Sequence, residues 1–267
     1  MRELAEQIDK ISIDHEQKIV DNVSALIAAV IKILNDNSST EELTLADGSV
    51  VNRSVVNRSK LRKVLTELRK LEKQTSDIVY DGTLSSMEAA LLATTTFYKE
   101  RFKSIVVKGT LKASEIAKEP SVDGLTLKDR TDTQSMRYTD DLYKQIRVSI
   151  NKGHSISEII DEVGDTFKGK EWELRRIVTT ETFDAYRTLT GEIAEKSGLT
   201  WIKLHESFPR HPRRRRHTCF AYAHEDKYGK GPGVFKPTDM KIYSPHPQCT
   251  SWLELLELEK EVSDDVD

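Results

Sequence analysis

Val20, Val23, Ile27, Val30 and Leu34 recur every three or four residues, which places them on one stripe of an α-helix. Leu26, Ile31 and Ile33 widen that stripe, so the spacing predicts a helix packed between others. The polar run Asn35 to Thr40 ends it. Leu61, Leu65, Leu68, Leu71 and Ile78 repeat the pattern, with lysines and arginines between them. A third helix is expected to begin after Gly82, capped by Ser85 or Ser86, and to run through MEAALLATTTFYKERFKSIV. Stripes of this kind on short connections favour antiparallel helix packing over a long exposed coiled coil.

Between the first two helices lie short alternating runs around Asp47-Gly48. Asp-Gly in that setting predicts a β-hairpin, here over Glu42 to Asn52, because both turn positions favour positive φ. KEPSVDGLTLKDR (Lys118 to Arg130) breaks the helical pattern at Pro120 and Gly124, and a domain boundary is expected there. Beyond it, Leu142, Ile146 and Ile150 carry a helix that Gly153 ends. Ser155 and Glu158 have the spacing of a capping box, followed by a buried face of Ile156, Ile159, Ile160 and Val163. Lys170 to Lys196 predicts a further helix, closed by Gly198. TWIKLHES (Thr200 to Ser207) alternates as a strand does. After Phe208, prolines, glycines, arginines, histidines and aromatics follow in irregular order, with YGKGPGVF expected to be a turn between short strands. The fold class expected is mainly α: long N-terminal helices with a small hairpin (residues 1–120), then a small α+β C-terminal domain (residues 121–267).

Charge and hydropathy remove several functions. The 41 basic and 44 acidic residues give a net charge of −3, so any grip on nucleic acid must be local. The longest apolar stretch, Val23 to Leu34, carries Lys32 and is shorter than the roughly 18 residues a membrane helix needs. MRELAEQIDK lacks the apolar core of a signal peptide, and two cysteines make no disulfide framework. A reducing compartment during synthesis is expected.

The residues able to carry chemistry lie in the last third. Cys219, His224, His246 and Cys249 could supply four zinc ligands, with His217 a rival for His224. The bland alternative is a pair of buried free cysteines among surface histidines. Arg210, Arg213, Arg214, Arg215 and Arg216 cluster within seven residues. Such a cluster can be solvated, can meet carboxylates of a protein partner or of the acidic tail Glu261 to Asp267, or can neutralise phosphates. His205, Glu206, His217, His224 and Glu225 could serve a metal-dependent nuclease or another phosphate-handling enzyme, yet there is no GxSxG, no HExxH and no phosphate-cradling glycine loop.

The order of these motifs resembles the phage Mu F-like minor head protein family, also described as phage head morphogenesis proteins. The likeness begins at VDGLTLKDR (Val122 to Arg130) and continues at Gly153-His154-Ser155. It then takes in the Thr180-Glu181 pair of RRIVTTET, Trp201 of TWIKL, and Arg214 and His217. It closes on the His-Pro-x-Cys motif of His246, Pro247 and Cys249. About half the chain is covered, from Val122 to Trp252. Three positions depart from the family pattern. Thr179 stands where an Arg is usual, FPRHP lacks the usual Asp, and Ser251 replaces a second cysteine. The last departure favours a structural use of His246 and Cys249 in a small core, as hydrogen bonding by Thr180 and Glu181 would pin a neighbouring loop.

The resemblance implies a structural, non-enzymatic minor capsid protein of a tailed phage. Such a protein sits at the portal vertex or capsid interior after a cytoplasmic assembly stage, and serves head morphogenesis, DNA packaging or ejection. The implied partners are the portal protein, the major capsid or scaffolding protein, and packaged DNA, with no membrane. No cofactor is expected beyond the zinc that the cysteines and histidines could hold. A zinc-stabilised binding module and the nuclease are the alternatives.

Overall fold

The computed structural model describes residues 1–102, 105, 111–121, 123–208 and 214–256. The chain is mainly α, with long N-terminal helices and a few short antiparallel strands towards the C-terminus. In order, the elements are α1 (Arg2–Asp36), β1 (Ser38–Thr44), β2 (Val50–Val56), α2 (Leu61–Arg101), α3 (Ala113–Ile116), α4 (Leu127–Lys152), α5 (Ile156–Lys168), α6 (Glu171–Lys196), β3 (Ile202–His205), α7 (Thr218–His224), β4 (Val234–Phe235) and β5 (Trp252–Leu255). Among the described residues no helix is long and apolar enough to cross a membrane.

The residues form two compact units, each discontinuous in sequence. One comprises Met1–Glu16, Gly82–Lys128 and Arg175–Asp267, the other Gln17–Asp81 and Asp129–Leu174. Each unit draws on both sides of residue 120.

In the second unit Val20, Val23, Val30 and Leu34 on α1, Leu65 and Leu68 on α2, and Leu142, Ile146 and Ile150 on α4 are buried as their spacing predicts; Val64 joins them, and Ile27, Leu61, Leu71 and Ile78 are only half-buried. Each such side chain contributes about 1.5–3 kcal/mol of transfer free energy. The hairpin is longer than Glu42 to Asn52. β1 and β2 pair from Ser38↔Val56 to Thr44↔Val50. Its connection is also longer than an Asp-Gly two-residue turn. Residues 45–49 form the loop, Leu45 N donating to Ser49 O at 2.8 Å. Only Gly48 takes positive φ, at 83°, while Asp47 Oδ1 accepts from Ser49 N at 2.9 Å. A carboxylate that caps the turn from a negative-φ position replaces the left-handed pair.

Residue Gly82 does not start a helix. α2 runs through it, flanked by buried Val79, Thr83, Ser86 and Met87. One helical glycine costs about 1 kcal/mol, less than the packing on either side supplies. Ser86 is no cap; its hydroxyl meets Thr182 Oγ1 at 2.7 Å inside the first unit. The capping box on α5 is present: Ser155 N donates to Glu158 Oε2 at 2.7 Å, and Glu158 N to Ser155 Oγ at 3.3 Å. The Ser155 hydroxyl, donating to Glu158 Oε2 at 2.8 Å, and the Ser155 amide hold the Glu158 carboxyl below its usual range. Ile156, Ile159, Val163 and Phe167 form the buried face, Ile160 being only half-buried.

In the first unit β3 is the central strand of a sheet ordered β4-β3-β5, antiparallel throughout. Ile202, Leu204, Leu253 and Leu255 face the core, and Lys203, His205, Trp252 and Glu254 the other way. YGKGPGVF joins α7 to β4, so a helix rather than a strand precedes it.

The capping box sets a stability expectation. Ser155→Ala should cost about 1 kcal/mol, read as a lower urea midpoint with unchanged slope. An unchanged midpoint would contradict the cap.

Candidate functional site

Most helices have a wet face; α6 has almost none. From Ile177 to Gly191 only Thr188 escapes full burial, so its polar side chains must find partners within the protein. Arg187 is fully buried. Its Nε donates to Tyr243 O at 2.6 Å, and its Nη1 to Cys249 O at 3.1 Å and Ser251 O at 2.9 Å. Nη2 pairs with Asp184, whose other oxygen accepts from Ser244 Oγ at 2.5 Å. Burial pushes the Asp184 carboxyl up against the opposing pull of Arg187 and Ser244.

Thr180 acts on the same segment. Its Oγ1 accepts from Gln248 N at 2.8 Å while donating to Arg176 O at 2.6 Å. Gln248 is held at φ 60°, a left-handed conformation that costs a side-chain-bearing residue about 1–2 kcal/mol. That turn sends Cys249 inward. Gly191 supplies the remaining contact surface: a Cβ there would lie 2.1 Å from Tyr243 Oη and 2.3 Å from its Cζ, so only glycine lets this ring pack on α6.

Residues 243–251, fixed in this way, face the start of α7. His246 Nε2 lies 3.0 Å from Cys219 Sγ, and the His217 and His246 rings are 4.5 Å apart between centroids. His217, Cys219 and His246 offer ligand atoms within 4.8 Å of one another. Ser207 Oγ stands 3.4 Å from Cys219 Sγ and 3.9 Å from Cys249 Sγ, and Ser251 Oγ is 3.0 Å from Cys249 Sγ. Both cysteines are buried and free.

Electrostatics divides the two thiols. The hydrogen bond with Cys249 and then burial push Cys219 far up. Burial also opposes ionisation of Cys249, but the Cys219 hydrogen bond, the Arg187 charge and His246 outweigh it and hold that thiol well below its ordinary value. Burial lowers His217. In His246 burial is outweighed by Cys249 and the Pro247 carbonyl, and the shift is upward.

The structure brings together Thr180, His217, Cys219, His246, Pro247 and Cys249. Glu181 is buried on α6 beside Thr180. His224 is not in the cluster. Five residues on from Cys219, it leaves α7 on the opposite side, exposed, with Nδ1 2.8 Å from Phe220 O; His217 takes the place expected for it. Trp201 packs instead on Tyr228, 5.4 Å between centroids. His205 stacks on Trp252 at 3.8 Å and reaches Glu254 at 2.7 Å. Arg215 and Arg216 are exposed in a short 3-10 turn, where the backbone of Arg214 also lies. Arg210, Arg213 and the tail Glu261 to Asp267 lie outside the described residues. Sequence reasoning missed Arg187, Asp184, Ser207 and Tyr243. The available signal was Asp184-x-x-Arg187 on a helix without a polar face.

No family model matches this chain, and no curated protein and no solved structure matches it.

Removing one partner of a buried ion pair costs about 3–5 kcal/mol. Arg187→Met should show a loss of that size in urea denaturation, and Asp184→Asn added to it should recover part by removing the stranded carboxylate. A loss comparable to an exposed substitution would contradict the network.

Proposed function

We propose that the chain is a structural minor head protein of a tailed phage, one that docks at the portal vertex and serves head morphogenesis together with DNA packaging or ejection. One observation carries this reading. Motif residues spread from Thr180 to Cys249, whose order resembles the Mu F-like family, meet in one place: Thr180 holds Gln248 N, and His217 stands against His246. Residues with one architectural task should touch one another, as Thr180 with Gln248 and His217 with His246 do, while Trp201 packs apart on Tyr228.

Two surfaces suit docking. Arg215 and Arg216 present guanidinium groups to carboxylates of a portal ring or to packaged DNA. The hairpin exposes Leu43, Leu45, Val50 and Val51 around its tip, an apolar set that a protein partner would cover.

Quantitative mass spectrometry of particles of the phage encoding this chain should find a few copies against many of the major capsid protein, and the chain should co-purify with the portal. Arg215→Ser with Arg216→Ser should weaken that retention and flatten its salt dependence. Absence from particles together with failure to retain portal, or metal-dependent cleavage of nucleic acid by the purified chain, would overturn the reading.

A further inference from the structure

We propose that His217, Cys219, His246 and Cys249 form a closed, four-ligand structural zinc site that clamps the start of α7 to the 246–249 turn. Neither the family resemblance nor the portal reading supplies this site, and metal content is independent of whether the chain enters a particle.

The donor set is the first argument. Two sulfurs and two imidazole nitrogens are a ligand set of structural zinc, and two thiolates cancel the charge of the ion in a buried place. The spacing follows the local backbone. His217 is the N-cap of α7 and Cys219 lies in its first turn; His246 and Cys249 flank the left-handed Gln248. Each half therefore presents two side chains from one rigid turn.

Distance is the second. Ligand atoms around one tetrahedral zinc lie about 3.5 Å apart, given Zn–S and Zn–N bonds of roughly 2.3 and 2.1 Å. Here His246 Nε2 and Cys219 Sγ are 3.0 Å apart, and no pair among His217, Cys219 and His246 exceeds 4.8 Å. Cys249 Sγ flanks the same Ser207 hydroxyl as Cys219 Sγ. His217, Cys219 and His246 already stand at ligand spacing, and Cys249 Sγ has to close in on them as the fourth ligand.

The surroundings are the third. Pro247 O accepts from His246 Nδ1 at 2.8 Å. A carbonyl can only accept, so Nδ1 carries a hydrogen and Nε2 is the nitrogen left to face the cluster, the orientation that outer hydrogen bonds impose on metal-binding histidines. His217 Nδ1 is buried and has no hydrogen-bond partner among the described residues, a cost that a metal bond would remove. Ser207 and Ser251 hydroxyls stand ready to donate to the sulfurs. Loading the site leaves both sulfurs as thiolates, with any proton they carry released to solvent, and leaves no vacant position, so the site holds structure rather than activating water.

Full-length chain purified without chelator should contain about one zinc per chain. Cobalt substituted for it should give the intense visible bands of a four-coordinate, thiolate-bound ion. Cys219→Ser and Cys249→Ser should lose the metal, and His224→Ala should keep it. Because a serine variant can fail to fold, His246→Cys provides the second arm: it preserves four ligands and should still bind. A folded wild-type chain that takes up no added zinc, a Cys219–Cys249 disulfide in the native protein, or zinc that survives both serine substitutions would overturn the site.

Discussion

A single buried guanidinium holds the C-terminal segment in place. Residues 243–251 contain no strand and no long helix, so the carbonyls of Tyr243, Cys249 and Ser251 have no ladder to enter. An unpaired buried carbonyl is costly, and Arg187 satisfies all three from inside α6. Lysine could not. Its three donors radiate from one point, whereas the planar fork of arginine reaches separate acceptors at fixed angles. Asp184 neutralises the cation, and Ser244 ties Asp184 back to the same segment. The placement of His246, Cys249 and β5 follows from that arrangement.

The legible parts of the fold are those with a wet face and a dry one. The stripes of α1, α2 and α4, the box at Ser155 and Glu158, and the alternation of Ile202 to His205 each record a boundary between core and solvent. α6 records none, since it is buried nearly all round. The loop-pinning expected of Thr180 is present in its bond to Gln248 N, whereas the buried Asp184 and Arg187 carry no periodic signal and are the core's hydrogen-bonding groups. Gly82 misled for the converse reason: a breaker acts through local propensity, and packing on both sides outweighed it. At the cluster, four side chains were legible as ligand types, but choosing between His217 and His224 required the axis of α7, a seven-residue helix too short for any periodic signal.

The contacts around α6 depend on one another. Thr180 stabilises the strained φ of Gln248, and Gln248 turns Cys249 towards Cys219 and His246. Gly191 admits the Tyr243 ring whose carbonyl Arg187 binds. Each residue is a condition for the next, which is what an architectural role requires and what the proposed place in a phage head would use: a rigid end carrying exposed arginines, on a chain whose hairpin offers an apolar tip.

Hydrogen exchange of individual backbone amides tests this most directly. The Gln248 amide is donated to Thr180 and the Leu253 amide to Tyr186 Oη at 3.3 Å, so both should exchange only through the cooperative opening that releases the core amides of α6. Exchange of Gln248 and Leu253 at the rate of an exposed loop, with α6 still protected, would contradict the claim that α6 holds this segment as part of its own core.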